Sequence, residues 1–170
     1  MGDHKNLTGT EAIKEIQKLA EEIKTCMFCT YENGKLKARP MSSQQVDDQG
    51  VIWFLSDKNS EKNKEVLADS TVDLLYGQGN DKFLSLRGNA ALSFDKAKIK
   101  ELWNPIAKIW FKDGADDPNV SIIRVTIREG YYWDTKHGKV AEIAAMATAL
   151  ITGKTMDDGI EGTLTVSRVD

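Results

Sequence analysis

The sequence predicts a mainly β, α+β protein: an antiparallel barrel of about six strands with helices at its periphery. Three observations lead there. Short apolar-alternating runs follow one another in hairpin order with turn residues between them. Asn33-Gly34 supplies the strongest short hairpin signal, because both positions tolerate positive φ. Helical periodicity is inserted at the ends and between strand groups, so the pattern is not the strict strand–helix alternation of a parallel sheet.

The chain has 170 residues, of which 41% are hydrophobic and 29% charged. That suits one globular domain spanning 1–170, with a core over about 10–153 and a polar tail over 154–170. A net charge of −3 argues against a nucleic-acid partner, which needs a clustered basic surface. No apolar run approaches the roughly 20 residues of a membrane span, and the N-terminus lacks a signal-peptide apolar region. Asn6 stands where a myristoylation signal has Ser or Thr. The expectation is a cytoplasmic protein away from membranes.

Residues 1–7 read as a loose N-terminus. Thr8-Gly-Thr-Glu11 is a capping-box pattern opening an amphipathic helix with Ile13, Ile16, Leu19, Ala20 and Ile23 on its apolar side. Strands are expected at Thr25–Tyr31, Lys35–Met41, Val51–Ser56, Thr71–Tyr76 and Phe83–Phe94, with Gly88 as a bulge or bend. A short helix is expected at Glu61–Asp69. Asp95 caps a helix with Ile99, Leu102 and Trp103, and Asn104-Pro105 restarts it so that Ile106, Ile109 and Trp110 continue its apolar side. The segments 120–127 and 130–133 form a last strand pair or one bent strand. Val140–Ile151 reads as an alanine-rich helix stopped by Gly153, and Thr163–Val169 as a possible short strand.

Candidate chemistry gathers at Lys35-Leu-Lys-Ala-Arg-Pro-Met41, Val51-Ile-Trp-Phe-Leu-Ser56 and Asn59-Ser-Glu-Lys62. These segments set cations at strand ends just before a hydroxyl-bearing helix start. Guanidinium, ammonium and free helix-end N–H groups can together hold a phosphate. Pro40 interrupts its strand or puts it at an edge, freeing Arg39 to point into a cleft. The plainer reading of Arg39 is a rim ion pair, and that of Lys62 a solvated turn. Trp53 shares a sheet face with Leu55 while Phe54 takes the other. Trp103 reads as core. Trp110, seven residues on, is expected on the same face, as an interface or ligand contact.

Cys26 and Cys29 form a C-x-x-C within a strand, where their side chains point to opposite faces, so inert buried thiols are expected. Asp113, Asp116 and Asp117 lack the ligand spacing of a calcium loop. His137 has no visible partner for base catalysis. No metal cluster, carboxylate pair or Ser-His-Asp set emerges, which suits a protein whose cofactor carries the chemistry.

Arg39-Pro-Met41, Trp53-Phe-Leu-Ser56, Ser60-Glu-Lys62, Gly88-Asn-Ala90, Leu102-Trp-Asn-Pro105, Trp110-Phe111, Asp116-Asp-Pro118, Tyr132-Trp-Asp134 and Asp158-Gly-Ile-Glu-Gly-Thr-Leu-Thr165 occur in a telling order. Over residues 10–165 the chain resembles the bacterial general stress protein 26-like family, related to pyridoxamine 5′-phosphate oxidase. The resemblance implies an antiparallel Greek-key split barrel of the FMN-binding type, as a homodimer with FMN between subunits. It implies that Arg39 and Lys62 hold the phosphate and that Ser56 and Ser60 donate hydroxyl hydrogen bonds. Backbone at Arg39, Pro40 and Met41, and at Trp53, Phe54 and Leu55, would run along the flavin ring, and Trp110 of the partner would close over it.

Two departures argue against vitamin B6 oxidation itself. Glu61 stands where those oxidases carry a basic residue, and the chain ends Thr165-Val-Ser-Arg-Val-Asp170 without their substrate signature. Three functions stay open: an FMN-dependent oxidoreductase of unknown small-molecule substrate; a non-catalytic flavin carrier or sensor; a binder of FAD, deazaflavin or haem.

Overall fold

The computed structural model describes residues 3–79, 81–135, 151–152 and 159–166. His137, Gly153 and the helix expected over 140–151, apart from Ile151, lie outside the described residues, as do Asn80 of the turn after Gly77 and most of the polar tail.

In chain order the elements are β1 (Asp3–His4), β2 (Leu7–Thr8), α1 (Gly9–Ile23), β3 (Thr25–Glu32), β4 (Lys35–Ser42), β5 (Gln45–Val46) and β6 (Val51–Asp57). There follow α2 (Glu61–Ala68), β7 (Thr71–Gln78), β8 (Lys82–Ser93), α3 (Lys96–Leu102), two 3₁₀ turns (Pro105–Ile109 and Gly114–Asp116), β9 (Val120–Thr135) and β10 (Gly159–Thr165). The strands join in one sheet whose main path runs β1-β10-β9-β8-β7-β3-β4, with β6 on β9 and β5 on β6. All pairings are antiparallel except those of β1 and β2 with β10.

The expected pair over 120–133 is one strand. The first half of β9 pairs with β6, the second half with β10, and β8 runs along both. The register shifts between Arg87 and Gly88, where Arg128 is the extra residue. A Cβ on Gly88 would sit 2.2 Å from the Thr126 carbonyl oxygen, so this crossing requires glycine. The β3–β4 hairpin turns at Asn33 (φ 51°) and Gly34 (φ 75°), as the sequence predicts.

Two apolar clusters flank β6. Ile52 and Phe54 face the main core, where Phe54 meets Phe28 of β3 edge-on with ring centroids 5.2 Å apart. Trp53 and Leu55 face the second cluster, built on Ile99, Leu102, Phe111 and Ile122. α1 closes the main core with Ala12, Ile16, Leu19 and Ala20.

Four sequence expectations change. The first residues are not loose: β1 and β2 add to β10, Leu7 is buried, and the Lys5 carbonyl accepts a hydrogen bond from Tyr132 (2.9 Å). Thr8 is the N-cap of α1, but its side chain makes no capping bond. Trp103 and Trp110 do not share a face. α3 ends at Leu102, Asn104 caps a separate 3₁₀ turn, and the change of direction leaves Trp103 packed inward against Phe111 while Trp110 faces outward. The last strand is Gly159–Thr165, four residues earlier than its pattern suggested, because pairing with β9 and not local alternation sets it.

Candidate functional site

Three strands end their inward-facing stripe with a hydroxyl. On β3 the stripe is Cys26, Phe28, Thr30; on β6 it is Ile52, Phe54, Ser56; on β9 Ser121 precedes Ile123 and Val125. All three hydroxyl residues are buried. A polar group there must find partners, since an unpaired buried one costs on the order of 1–3 kcal/mol. α2 supplies them. Ser56 Oγ donates to Asn63 Oδ1 (2.8 Å), Asn63 Nδ2 donates to Ser121 Oγ (2.9 Å), and Ser121 Oγ donates to the Ser56 carbonyl (2.9 Å).

Two residues further along α2, Glu65 makes the matching connection to the other side of the barrel. Its Oε2 accepts from Thr30 Oγ1 and from Arg39 NH2 (2.7 Å), while Arg39 NH1 donates to Thr30 Oγ1 (2.6 Å). Arg39 pairs in register with Phe28 and so points to the inner face, one-quarter exposed. Burial opposes ionisation of Glu65, but the Thr30 hydroxyl and the Arg39 guanidinium outweigh it and hold its pKa below the ordinary glutamate value.

Lys62, at the second position of α2, directly precedes the first of these connections in sequence. It is half-buried and, among the described residues, makes no hydrogen bond or ion pair. Burial lowers its pKa, and the positive charge of Arg39 lowers it further against smaller opposing effects of Asp57 and Glu65. The charge of Arg39 is thus felt at Lys62, at the start of α2. Ser60 occupies the N-cap position, yet its hydroxyl accepts nothing from the helix backbone and donates to Asn63 Oδ1 (3.2 Å). The first-turn N–H groups are therefore left without a side-chain cap.

Among the described residues, β4 and the later part of β6 each have one edge without a strand partner. Ser43 N–H donates to the Lys24 carbonyl, which makes Met27–Pro40 a non-hydrogen-bonded pair and turns the nitrogen of Pro40 outward from the edge strand β4. On β6, Gln44 N–H donates to the Trp53 carbonyl, and β5 pairs no further than Trp53. By the same alternation the N–H and C=O of Leu55 face the open edge.

The remaining sequence candidates separate. Met41 packs partly buried on the main core. Phe54 is fully buried, so only its backbone can meet a ligand. The Trp53 indole N–H donates to Asp47 (3.0 Å) and Lys98 lies over its ring at 4.6 Å, so this side chain serves the second cluster. The proton Ser56 would offer a phosphate is already given to Asn63, which makes Ser56 a support of the site. Trp110 is 70% exposed, with Ile106 and Ile109 also exposed beside it; among the described residues no hydrogen bond or ring contact ties it to the Arg39–Lys62 cluster. Cys26 and Cys29 are free and buried, the Cys26 thiol pushed up to about 12 mainly by that burial.

Sequence reasoning missed Thr30, Asn63, Glu65 and Ser121. Their signal was present in part: a hydroxyl at the inward position of an otherwise apolar stripe.

No group of three or more metal-ligating side chains occurs among the described residues, and no described helix is long and apolar enough to cross a membrane. Comparison with known proteins gives a consistent picture. Protein bli-3 of Neurospora crassa is 24% identical over 156 residues, 85% of this chain and 75% of that protein. A candidate general stress protein 26 from Jannaschia sp. CCS1 superposes with a TM-score of 0.77 at 28% identity, covering 89% of this chain and 96% of the other. The general stress FMN/FAD binding protein of Xanthomonas citri gives 0.62 at 28% identity, covering 74% and 92%. These neighbours share the split-barrel fold. The family model described as pyridoxamine 5′-phosphate oxidase like matches residues 11–157, and the chain belongs to that family.

Proposed function

We propose that this chain binds FMN and acts in the cytoplasm as a flavin-dependent oxidoreductase, with a second copy completing the site. One observation carries the reading. A half-buried ammonium that makes no ion pair among the described residues feels the charge of a guanidinium at a helix start without a side-chain cap, an arrangement that an incoming phosphate dianion relieves on every count. The relative from Xanthomonas citri is described as binding FMN or FAD, which supports a flavin.

In this reading Lys62 and the N–H groups of Arg39 outside its bonds to Thr30 and Glu65 hold the phosphate, with the first N–H groups of α2 as further donors. The backbone groups of Leu55 and the Pro40 carbonyl, at open strand edges, meet the polar rim of the ring. Ile106, Ile109 and Trp110 form an exposed apolar surface suited to a second copy, whose Trp110 would cover the ring. A bound flavin supplies the electron-transfer chemistry; the protein's part is binding, orientation and exclusion of water.

Titration of the purified, flavin-free protein with FMN and with riboflavin tests the phosphate site. FMN should bind at least tenfold more tightly, since charge-assisted bonds to one phosphate contribute about 1.5–3 kcal/mol each. Equal affinities reject it. Anaerobic addition of NADH or NADPH, followed at the flavin absorbance bands, then separates turnover from mere carriage: bleaching supports an oxidoreductase.

A further inference from the structure

We infer that Glu65 is a positioning residue for the anion site: with Thr30 it fixes the Arg39 guanidinium in the orientation that presents its remaining N–H groups to a phosphate. The inference rests on the phosphate reading above.

The proton order of this cluster follows from its geometry. Arg39 can only donate, so Thr30 Oγ1 accepts from NH1 and must direct its single proton elsewhere. That proton goes to Glu65 Oε2, which also accepts from NH2. The three groups close a ring of three hydrogen bonds, with the Lys37 carbonyl a more distant acceptor for Thr30 at 3.4 Å. Arg39 has five N–H bonds, and the ring uses two of them. Among the described residues the other three have no acceptor, and they lie in a plane the ring has fixed. Glu65 is buried and Thr30 fully so, and both lie on structured elements, so this plane is not free to rotate.

A buried carboxylate close to an anion site is otherwise a liability. Its charge opposes a dianion, so electrostatics alone predicts that removing it tightens phosphate binding. Positioning predicts the reverse when the anchoring oxygen is lost, even though the site then becomes more positive. The two explanations therefore differ in sign.

The experiment measures FMN and riboflavin affinity of the flavin-free protein by fluorescence quenching. Glu65→Ala should lose about tenfold of the FMN-over-riboflavin preference, a loss expected when charge-assisted bonds are misaligned. Glu65→Gln keeps a carbonyl oxygen that can accept from both Thr30 and Arg39, so it should retain the preference or exceed it. Should Glu65→Ala be too unstable to assay, Thr30→Val removes the other anchor without changing charge, and Thr30→Ser restores the hydroxyl. Val should lower the preference several-fold and Ser should recover it. If Glu65→Ala and Glu65→Gln both tighten FMN, or if Thr30→Val leaves the preference intact, Glu65 is only a counter-charge and the inference is overturned. If the unmodified protein shows no preference for FMN, it is the phosphate reading that fails, and the two failures are told apart.

Discussion

α1 and α2 both pack on β8, and they do so with opposite chemistry. α1 buries Ala12, Ile16, Leu19 and Ala20; α2 buries Asn63, Glu65 and Val66. The first is held by area removed from water, which is non-directional and stabilises strongly. The second is held by hydrogen bonds to the hydroxyls of Thr30, Ser56 and Ser121, which add little net stability but fix the place of each atom. A helix that must merely cover a core can be apolar. A helix whose end must present charges at set positions is better anchored by directed bonds, and α2 is the one that carries Lys62.

The contrast breaks most visibly in α1. Leu19→Ala should destabilise the protein by about 2–5 kcal/mol in urea denaturation and leave the FMN-over-riboflavin preference unchanged. A changed preference would show that the two helices are not separable. Arg39→Ala or Lys62→Ala should each cost about 1.5–3 kcal/mol of FMN affinity and leave riboflavin affinity nearly untouched. Unaltered FMN binding in both would dismiss the cradle. Asn63→Ala leaves buried hydroxyls of β6 and β9 without their partner and should lower stability by about 1–2 kcal/mol. Chemical denaturation near wild-type values would mean that α2 is held by something other than this network.

The pH dependence sharpens the contrast within α2 itself. Glu65 titrates below its usual value of 4.5 in the folded protein, so its contribution is complete above the unfolded value and disappears as pH falls through the folded one. Glu65→Gln should abolish that part of the acid loss. Lys62 behaves oppositely, its folded pKa lying below the usual 10.5. Between those two values the unfolded chain binds more protons, so stability should rise with pH across that alkaline interval, and Lys62→Met should flatten the rise. Trp110→Ala should have the smallest effect on folding, within about 0.5 kcal/mol for an exposed side chain. Its consequence should appear in sedimentation, as a weaker dimer, or in flavin affinity; movement in neither would remove Trp110 from the proposed interface.

How far the sequence could be read follows the same division. α1 was legible because its apolar spacing and its burial are the same fact. The β3–β4 hairpin was legible because Asn33-Gly34 suits only a few backbone shapes, and the opposite facings of Trp53 and Phe54 followed from strand alternation. Arg39 and Lys62 were legible as cations near a helix start. Glu65 was not, because its partners Thr30 and Arg39 lie 35 and 26 residues away and nothing local distinguishes it from solvated Glu61. Ser121 was hidden likewise, 58 residues from Asn63. The outward turn of Trp110 was missed because helical periodicity was extended past Asn104, whose side chain caps a new turn.

β4 forms one border of the sheet, and an unpaired border can recruit any extended strand, including its own copy, into growing fibrils. Here Lys35 and Lys37 bring like charges to such an encounter, and the outward nitrogen of Pro40 has no hydrogen to offer. The composition of this border therefore makes it a poor template for aggregation.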